Sequence, residues 1–137
     1  MNRVLSVLLF FMITACVEAP YYADQVDFKE ESWSKDTEAV FNIPLKDSLM
    51  VYDFFIHLRN NNDYPFSNIF LITQLDSPKG QRIVDTLEYE MTDSAGRWLG
   101  KGVTDIKESS LYFKEDFQFE SSGLHRLVIR QSVRRLG

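Results

Sequence analysis

Met50-Val51-Tyr52-Asp53-Phe54-Phe55-Ile56-His57-Leu58-Arg59 is the stretch on which the fold turns. Tyr52, Phe54, Ile56 and Leu58 share one side of an extended chain, and Val51, Asp53, Phe55, His57 and Arg59 share the other. Side chains alternate across a strand with a period of two, so this set describes a strand with one buried face. Val51 and Phe55 make the second face partly apolar. That mixture predicts a strand covered on part of its outer face as well.

Downstream, Asn60-Asn61-Asn62-Asp63-Tyr64-Pro65 is a dense turn signal, because Asn and Asp tolerate left-handed backbone and Pro cannot extend a central ladder. Ile69-Phe70-Leu71-Ile72 then reads as a buried strand. Joined to the first strand, it predicts a hairpin with a wide loop. Asp76-Ser77-Pro78-Lys79-Gly80 turns the chain into Arg82–Met91, where Ile83, Leu87, Tyr89 and Met91 form a core face from which Asp85 is the exception. Thr92-Asp93-Ser94-Ala95-Gly96 closes that strand, and Trp98-Leu99-Gly100-Lys101-Gly102 predicts another hairpin-like feature. Leu111, Phe113, Phe117 and Phe119 continue the alternation, with Glu115-Asp116 marking a bulge or bend. After Ser121-Ser122-Gly123, the last strand runs from His125 to Val133, with Leu127, Ile129 and Val133 inside and Arg126, Val128, Arg130 and Arg134 outside.

Upstream, strand-like signal begins at Val26, Phe28 and Trp33 and continues through Ala39 to Leu45, where Pro44 indicates an edge or a strand end. Short strands at close spacing, with turns rich in Gly, Asn and Ser and no sustained helical period, predict an all-β fold. The expected architecture is an antiparallel β-sandwich of seven or eight strands, and a small closed barrel is the alternative.

The first residues have a different character. Asn2-Arg3 precedes an apolar run from Val4 to Ile13, about half the ~20 residues a helix needs to span a bilayer. This is the pattern of a cleaved signal peptide. Ile13-Thr14-Ala15-Cys16 resembles the bacterial lipobox, in which small residues admit the peptidase and the cysteine thiol accepts diacylglycerol. Cys16 is the only cysteine, so the exported domain cannot build internal disulfides. The expected organisation is a lipoprotein signal peptide over 1–15, a lipidated tether over 16–25 and a β-sandwich domain over 26–137. Two acyl chains anchor durably where one does not. Tyr21 and Tyr22 either meet the lipid interface or pack on the domain's first strand.

The formal charge of −5, with acidic and basic residues interspersed, gives no surface for tracking phosphates, so nucleic acid is not an expected partner. The basic group Arg126, Arg130, Arg134 and Arg135 reads as a solvated strand face or tail. The only histidines, His57 and His125, lie within strands and share no metal-ligand spacing with each other or with a carboxylate pair. Gly96, Gly100 and Gly102 lack the Lys-Ser or Lys-Thr of a phosphate loop. Glu88 and Glu90 fall on a solvent face, and Asp93 and Asp105 fall in turns where they can bond backbone amides. No catalytic residue, metal site, cofactor or small-molecule ligand is expected.

Several segments together resemble the gliding-motility lipoprotein H family (GldH) of Bacteroidetes over nearly the whole chain. They are Arg59-Asn60-Asn61-Asn62-Asp63-Tyr64-Pro65-Phe66-Ser67-Asn68, Asp85-Thr86-Leu87-Glu88-Tyr89-Glu90-Met91, Gly96-Arg97-Trp98-Leu99-Gly100-Lys101-Gly102, Asp105-Ile106-Lys107-Glu108 and the final Gln131-Ser132-Val133-Arg134. The chain departs at Thr104, where the family tends to have glycine, which bears on the local turn because a β-branched residue does not take positive φ. It departs again at Ser132-Val133, where the family has Ala-Met. The resemblance implies a small envelope lipoprotein required for gliding and linked to type IX secretion, working beside other envelope motility and secretion proteins. Val17 follows Cys16 where an aspartate would signal inner-membrane retention, and Val17-Glu18-Ala19-Pro20 lacks a run of acidic residues for surface export. The expected place is therefore the periplasmic face of the outer membrane.

The candidate interaction surface is the pair of loops Asn60–Asn68 and Gly96–Asp105, carried by Asn60, Asn61, Asn62, Tyr64, Trp98, Leu99, Gly100, Gly102 and Asp105. Trp98 is either an interface anchor or a plug folded back on the end of the sandwich. The asparagines either hold a partner strand or glycan through their amides, or form structural Asx-turns. Carbohydrate binding would use the same tryptophan and asparagines.

Overall fold

In the computed structural model, residues 18–132 are described. The expected signal peptide, Cys16, Val133, Arg134 and Arg135 lie outside them. Six strands form two antiparallel sheets: β1 (Ala39–Leu45), β2 (Val51–Asn60), β3 (Asn68–Asp76), β4 (Arg82–Glu90), β5 (Lys107–Gln118) and β6 (Gly123–Ser132). One sheet has the order β1-β6-β3-β4, and the other is the pair β2-β5. The sandwich stands as expected, and the sheets do not close into a barrel.

The described strands number six rather than seven or eight because two expected extended segments form no strand. Val26, Phe28 and Trp33 lie in irregular chain around a single 3-10 turn at Lys29–Glu31, and contribute their side chains to the core without joining a ladder. Phe28 stacks on Trp33 at 4.7 Å, and Trp33 Nε1–H donates to the Thr37 carbonyl at 2.8 Å, so this segment satisfies itself locally. Trp98–Gly102 makes only isolated bridges, Thr92 to Trp98 and Lys101 to Glu108.

The wide-loop hairpin is also corrected. β2 pairs with β5, whereas β3 pairs with β4 and β6, so the chain crosses between sheets at Asn61–Ser67. The reason lies in the two apolar faces. Tyr52, Phe54, Ile56 and Leu58 face the core opposite Ile69, Leu71 and Leu75. Stacking these faces across ~10 Å buries both, where edge pairing would bury them only with further cover. Leu71 and Met91 are fully buried, each stabilising by about 2 kcal/mol on area grounds.

Asp85 shares the inner face of β4, contrary to its exclusion from the sequence pattern. It lies opposite Thr73 in the ladder and receives Lys114 Nζ at 2.9 Å from the other sheet. Lys114 reaches this position because the expected irregularity at Glu115-Asp116 is a bulge. Between Tyr52–Phe117 and Phe54–Lys114, β5 advances three residues while β2 advances two. Asp116 takes φ 47°, and its N–H donates to Asp53 Oδ1 at 2.9 Å. A second register shift, between Phe54 and Phe55, follows directly and sets Phe113 and Lys114 on the inner side together.

The strands give the molecule two ends. The β1–β2 turn, the 77–81 hairpin and the 119–123 turn share one end, where Tyr21 packs on Tyr52 at 5.2 Å. Its hydroxyl donates to the Pro44 carbonyl and accepts from Lys46 N–H. Tyr22 packs against the core. Both tyrosines thus lie on the domain, Tyr21 at the end of β1 and Tyr22 against the core. The other end gathers the loops 61–67 and 91–106, about 30 Å away along the ten residues of β2.

Candidate functional site

The two expected loops meet. Trp98 Nε1–H donates to Asn62 Oδ1 at 3.1 Å, and Asn62 Nδ2 donates to Asp105 Oδ1 at 3.4 Å, so one asparagine joins both loops. Tyr64 lies beside Trp98, with ring centroids 6.4 Å apart, and its hydroxyl donates to the Asn68 carbonyl at 2.7 Å. Trp98 is half-buried and packs against the core. That is the plug geometry, and the neighbouring Leu99 is the exposed member of the pair.

Each remaining position has a local cause. Asn61 Oδ1 accepts Asp63 N–H at 3.1 Å, an Asx-turn that reverses the chain after β2. Asn60 Nδ2 donates to the Asn61 carbonyl, while its buried Oδ1 has no protein partner. Gly100 and Gly102 permit close approach. A Cβ at Gly100 would stand 2.8 Å from Ser109 Oγ, and one at Gly102 would run into the Ile106 carbonyl oxygen. Lys101 and Glu108 exchange two backbone hydrogen bonds between these glycines. Lys107 Nζ donates to the carbonyls of Gly102 and Thr104, closing the turn. Thr104 keeps negative φ, and its hydroxyl accepts Ile106 N–H, so the departure from glycine leaves an ST-type turn. Asp105 bonds the Asn62 side chain in place of a local amide; Asp93 takes the backbone N–H groups of Ala95 and Arg97 at 2.9 Å each.

Sequence reasoning singled out Leu99 but missed the other apolar side chains around this frame. Val103 is fully exposed, and Ile106 and Phe66 are exposed along with Leu99. The signal was an aliphatic pair, Val103 and Ile106, inside a turn of polar residues where nothing could bury it.

Chemistry elsewhere is sparse. His57 stands on the outer face 3.8 Å from Glu108, whose carboxyl is held below its usual range chiefly by the Arg59 guanidinium. His125 is buried, with Nδ1 3.2 Å from the Gly123 carbonyl and its ring edge-on to Phe119. Among the described residues no His, Cys, Asp and Glu group could hold a metal. Glu88 and Glu90 are exposed, and Arg130 pairs with Glu38. Among the described residues no helix is long and apolar enough to cross a membrane.

Two antiparallel sheets, with two loops bonded together at one end and the N-terminal chain held at the other, define a class: a small two-sheet β-domain. A model of the GldH lipoprotein family matches residues 20–136. A gliding motility lipoprotein GldH homolog from Christiangramia forsetii is 42% identical over 141 residues, covering 100% of this chain and 86% of its own length. The gliding motility lipoprotein GldH of Flavobacterium johnsoniae is 47% identical over 106 residues. That match covers 77% of this chain and 65% of the relative, so just under two thirds of the second protein is represented. No solved structure matches the chain. The chain belongs to the GldH lipoprotein family, a family of lipid-anchored gliding motility lipoproteins whose name is not that of an enzyme.

Proposed function

We propose that this chain is a non-catalytic assembly component of the gliding motility and type IX secretion machinery, held by lipid on Cys16 to the periplasmic face of the outer membrane. The observation that carries this reading is the joined loop end. Asn62 fixes the two loops to each other, and Leu99, Val103, Ile106 and Phe66 stand exposed around them. An exposed apolar group on a polar, hydrogen-bonded frame is the form of a protein-docking surface. The relatives' names support the motility role, and Cys16, as the chain's single cysteine, is the residue a lipoprotein of this sequence would modify.

Carbohydrate binding is the alternative, and it would stack a sugar on Trp98. The committed N–H and half-buried ring of Trp98 favour docking over stacking. The test combines Leu99→Asp with Val103→Asp in the chromosomal copy. The expected result is normal abundance and lipidation with loss of gliding, loss of secretion and loss of the crosslinked envelope partner seen with the parent protein. Normal gliding and secretion in this variant, or in a deletion strain, would sink the reading. Protease added to intact cells tests the leaflet: cleavage without lysis would contradict the periplasmic face.

A further inference from the structure

The end of the sandwich opposite the docking loops carries apolar side chains that docking leaves unused. In the β1–β2 turn Leu49 is 81% exposed, and Met50 and Val51 are each more than half exposed. The turn is well bonded. Asp47 Oδ1 accepts Leu49 N–H at 2.8 Å, the Tyr52 hydroxyl donates to the Asp47 carbonyl at 3.0 Å, and Gln118 Nε2 donates to the carbonyls of Ser48 and Leu49. Backbone groups of the turn are thereby satisfied by the protein, and three consecutive apolar side chains are held out in solvent.

The same turn holds the N-terminal chain through the Tyr21 hydroxyl, which is bonded to both Pro44 and Lys46. Four residues lie between Cys16 and Tyr21, and the five Cα–Cα steps that join them span at most about 18 Å. A lipidated Cys16 lies at the bilayer surface, so the Tyr21 backbone is confined to that distance from the bilayer, with the turn one tyrosine side chain away from it. Lys46 and Asp47 on one side and Asp53 on the other flank the apolar tip, and the Asp47 carboxylate is bonded to Leu49 N–H itself. Their charges must stay in water or among headgroups, which limits the tip to shallow insertion.

We propose that Leu49, Met50 and Val51 insert into the interface of the bilayer that anchors Cys16, setting the domain upright with β2 leading away from the membrane. The inference rests on the reading of Cys16 as the lipidated residue. It assigns the tip to lipid rather than to a second copy of the chain, because the short clipped tether brings the bilayer to this tip in every molecule.

A lipidated Cys16 has no free thiol, so Leu49→Cys in the full-length lipidated protein offers a single site for an environment-sensitive fluorophore. Leu49 is exposed, and the substitution leaves the core intact. On reconstitution into phosphatidylcholine–phosphatidylethanolamine vesicles, the emission is expected to shift to the blue and to be quenched by lipids brominated near the headgroup. A label on Val103→Cys, at the far end, is expected to show neither effect. Protein that floats with the vesicles while the label at position 49 keeps its aqueous emission and its quenching by iodide would overturn the inference and leave the anchor intact. Protein that carries no lipid and does not float would overturn both. A blue shift that grows with protein concentration without vesicles would assign the tip to a second copy, and would also overturn the inference.

Discussion

The ammonium of Lys114 lies 2.9 Å from the carboxylate of Asp85, joining the two sheets through the core. Lys114 also stands over the rings of Phe113 and Phe117, 4.9 and 5.1 Å from their centroids. Its side chain is 16% exposed and that of Asp85 is 37% exposed. The two partners should therefore differ in what their loss costs. Asp85→Leu strands a mostly buried cation and should destabilise by about 2 kcal/mol, below the roughly 3–5 kcal/mol of a fully buried pair. Lys114→Met leaves a carboxylate that can hydrate and should cost less. Combining the two substitutions should recover much of the loss, read as the midpoint of urea unfolding.

The β5 bulge depends on a left-handed residue that is not glycine. Asp116 at φ 47° is expected to tolerate Gly with little change or a small gain, whereas Asp116→Val should cost about 1–2 kcal/mol. Asp53→Ala removes the acceptor of the Asp116 N–H and should cost about 1 kcal/mol. It should also loosen Lys114, seen as a smaller coupling in the Lys114–Asp85 double-mutant cycle.

Asn62→Ala should release the two loops from each other without unfolding the sandwich. It removes the bonds to Trp98 and Asp105, a net loss of about 1–2 kcal/mol. Hydrogen exchange should accelerate across Asn60–Asn68 and Gly96–Asp105 and stay slow in β3 and β6. Equal acceleration in β6 would contradict the local character assigned to this frame.

Acid should weaken the fold through carboxylates held by donors. The Asp76 carboxyl is kept below its usual range first by the hydrogen bond from Arg82 and then by that from Gln74; Asp93 is kept low chiefly by the Arg97 backbone N–H, and Glu108 by Arg59. Each is harder to protonate folded than unfolded. The stability it adds is present above the unfolded value and is lost as pH falls from about 4 through the depressed value. Thermal midpoints should fall over that window, and Asp76→Asn should shrink the fall.

The alternation of Tyr52 to Leu58 and the short apolar run Ile69 to Ile72 made the sandwich legible, the first because burial of one face is written every second residue and the second because a run of four is too short for a buried helix. Partnership was not legible: β2 and β3 carry similar apolar faces, and whether such faces pair or stack depends on the rest of the chain. Val26, Phe28 and Trp33 misled for a related reason. Their side chains fill the core, but the bonds around Trp33 occupy the backbone that a strand would need. At the loop end, turn residues were plain from Asn61, Gly100 and Gly102. The meeting of the loops through Asn62 and Trp98 was only a juxtaposition in sequence terms, since no local pattern encodes a bond across thirty-six positions.

The N-terminal chain is clipped beside the β1–β2 turn, while the Asn62-joined loops lie at the far end of the same strands. A pull on that chain would meet the clip first, a single hydroxyl with two hydrogen bonds, and would reach β1 only at Ala39, through residues 22–38. The clip, rather than either sheet, is the joint that gives first. Under load the N-terminal chain would lengthen while both sheets stay intact.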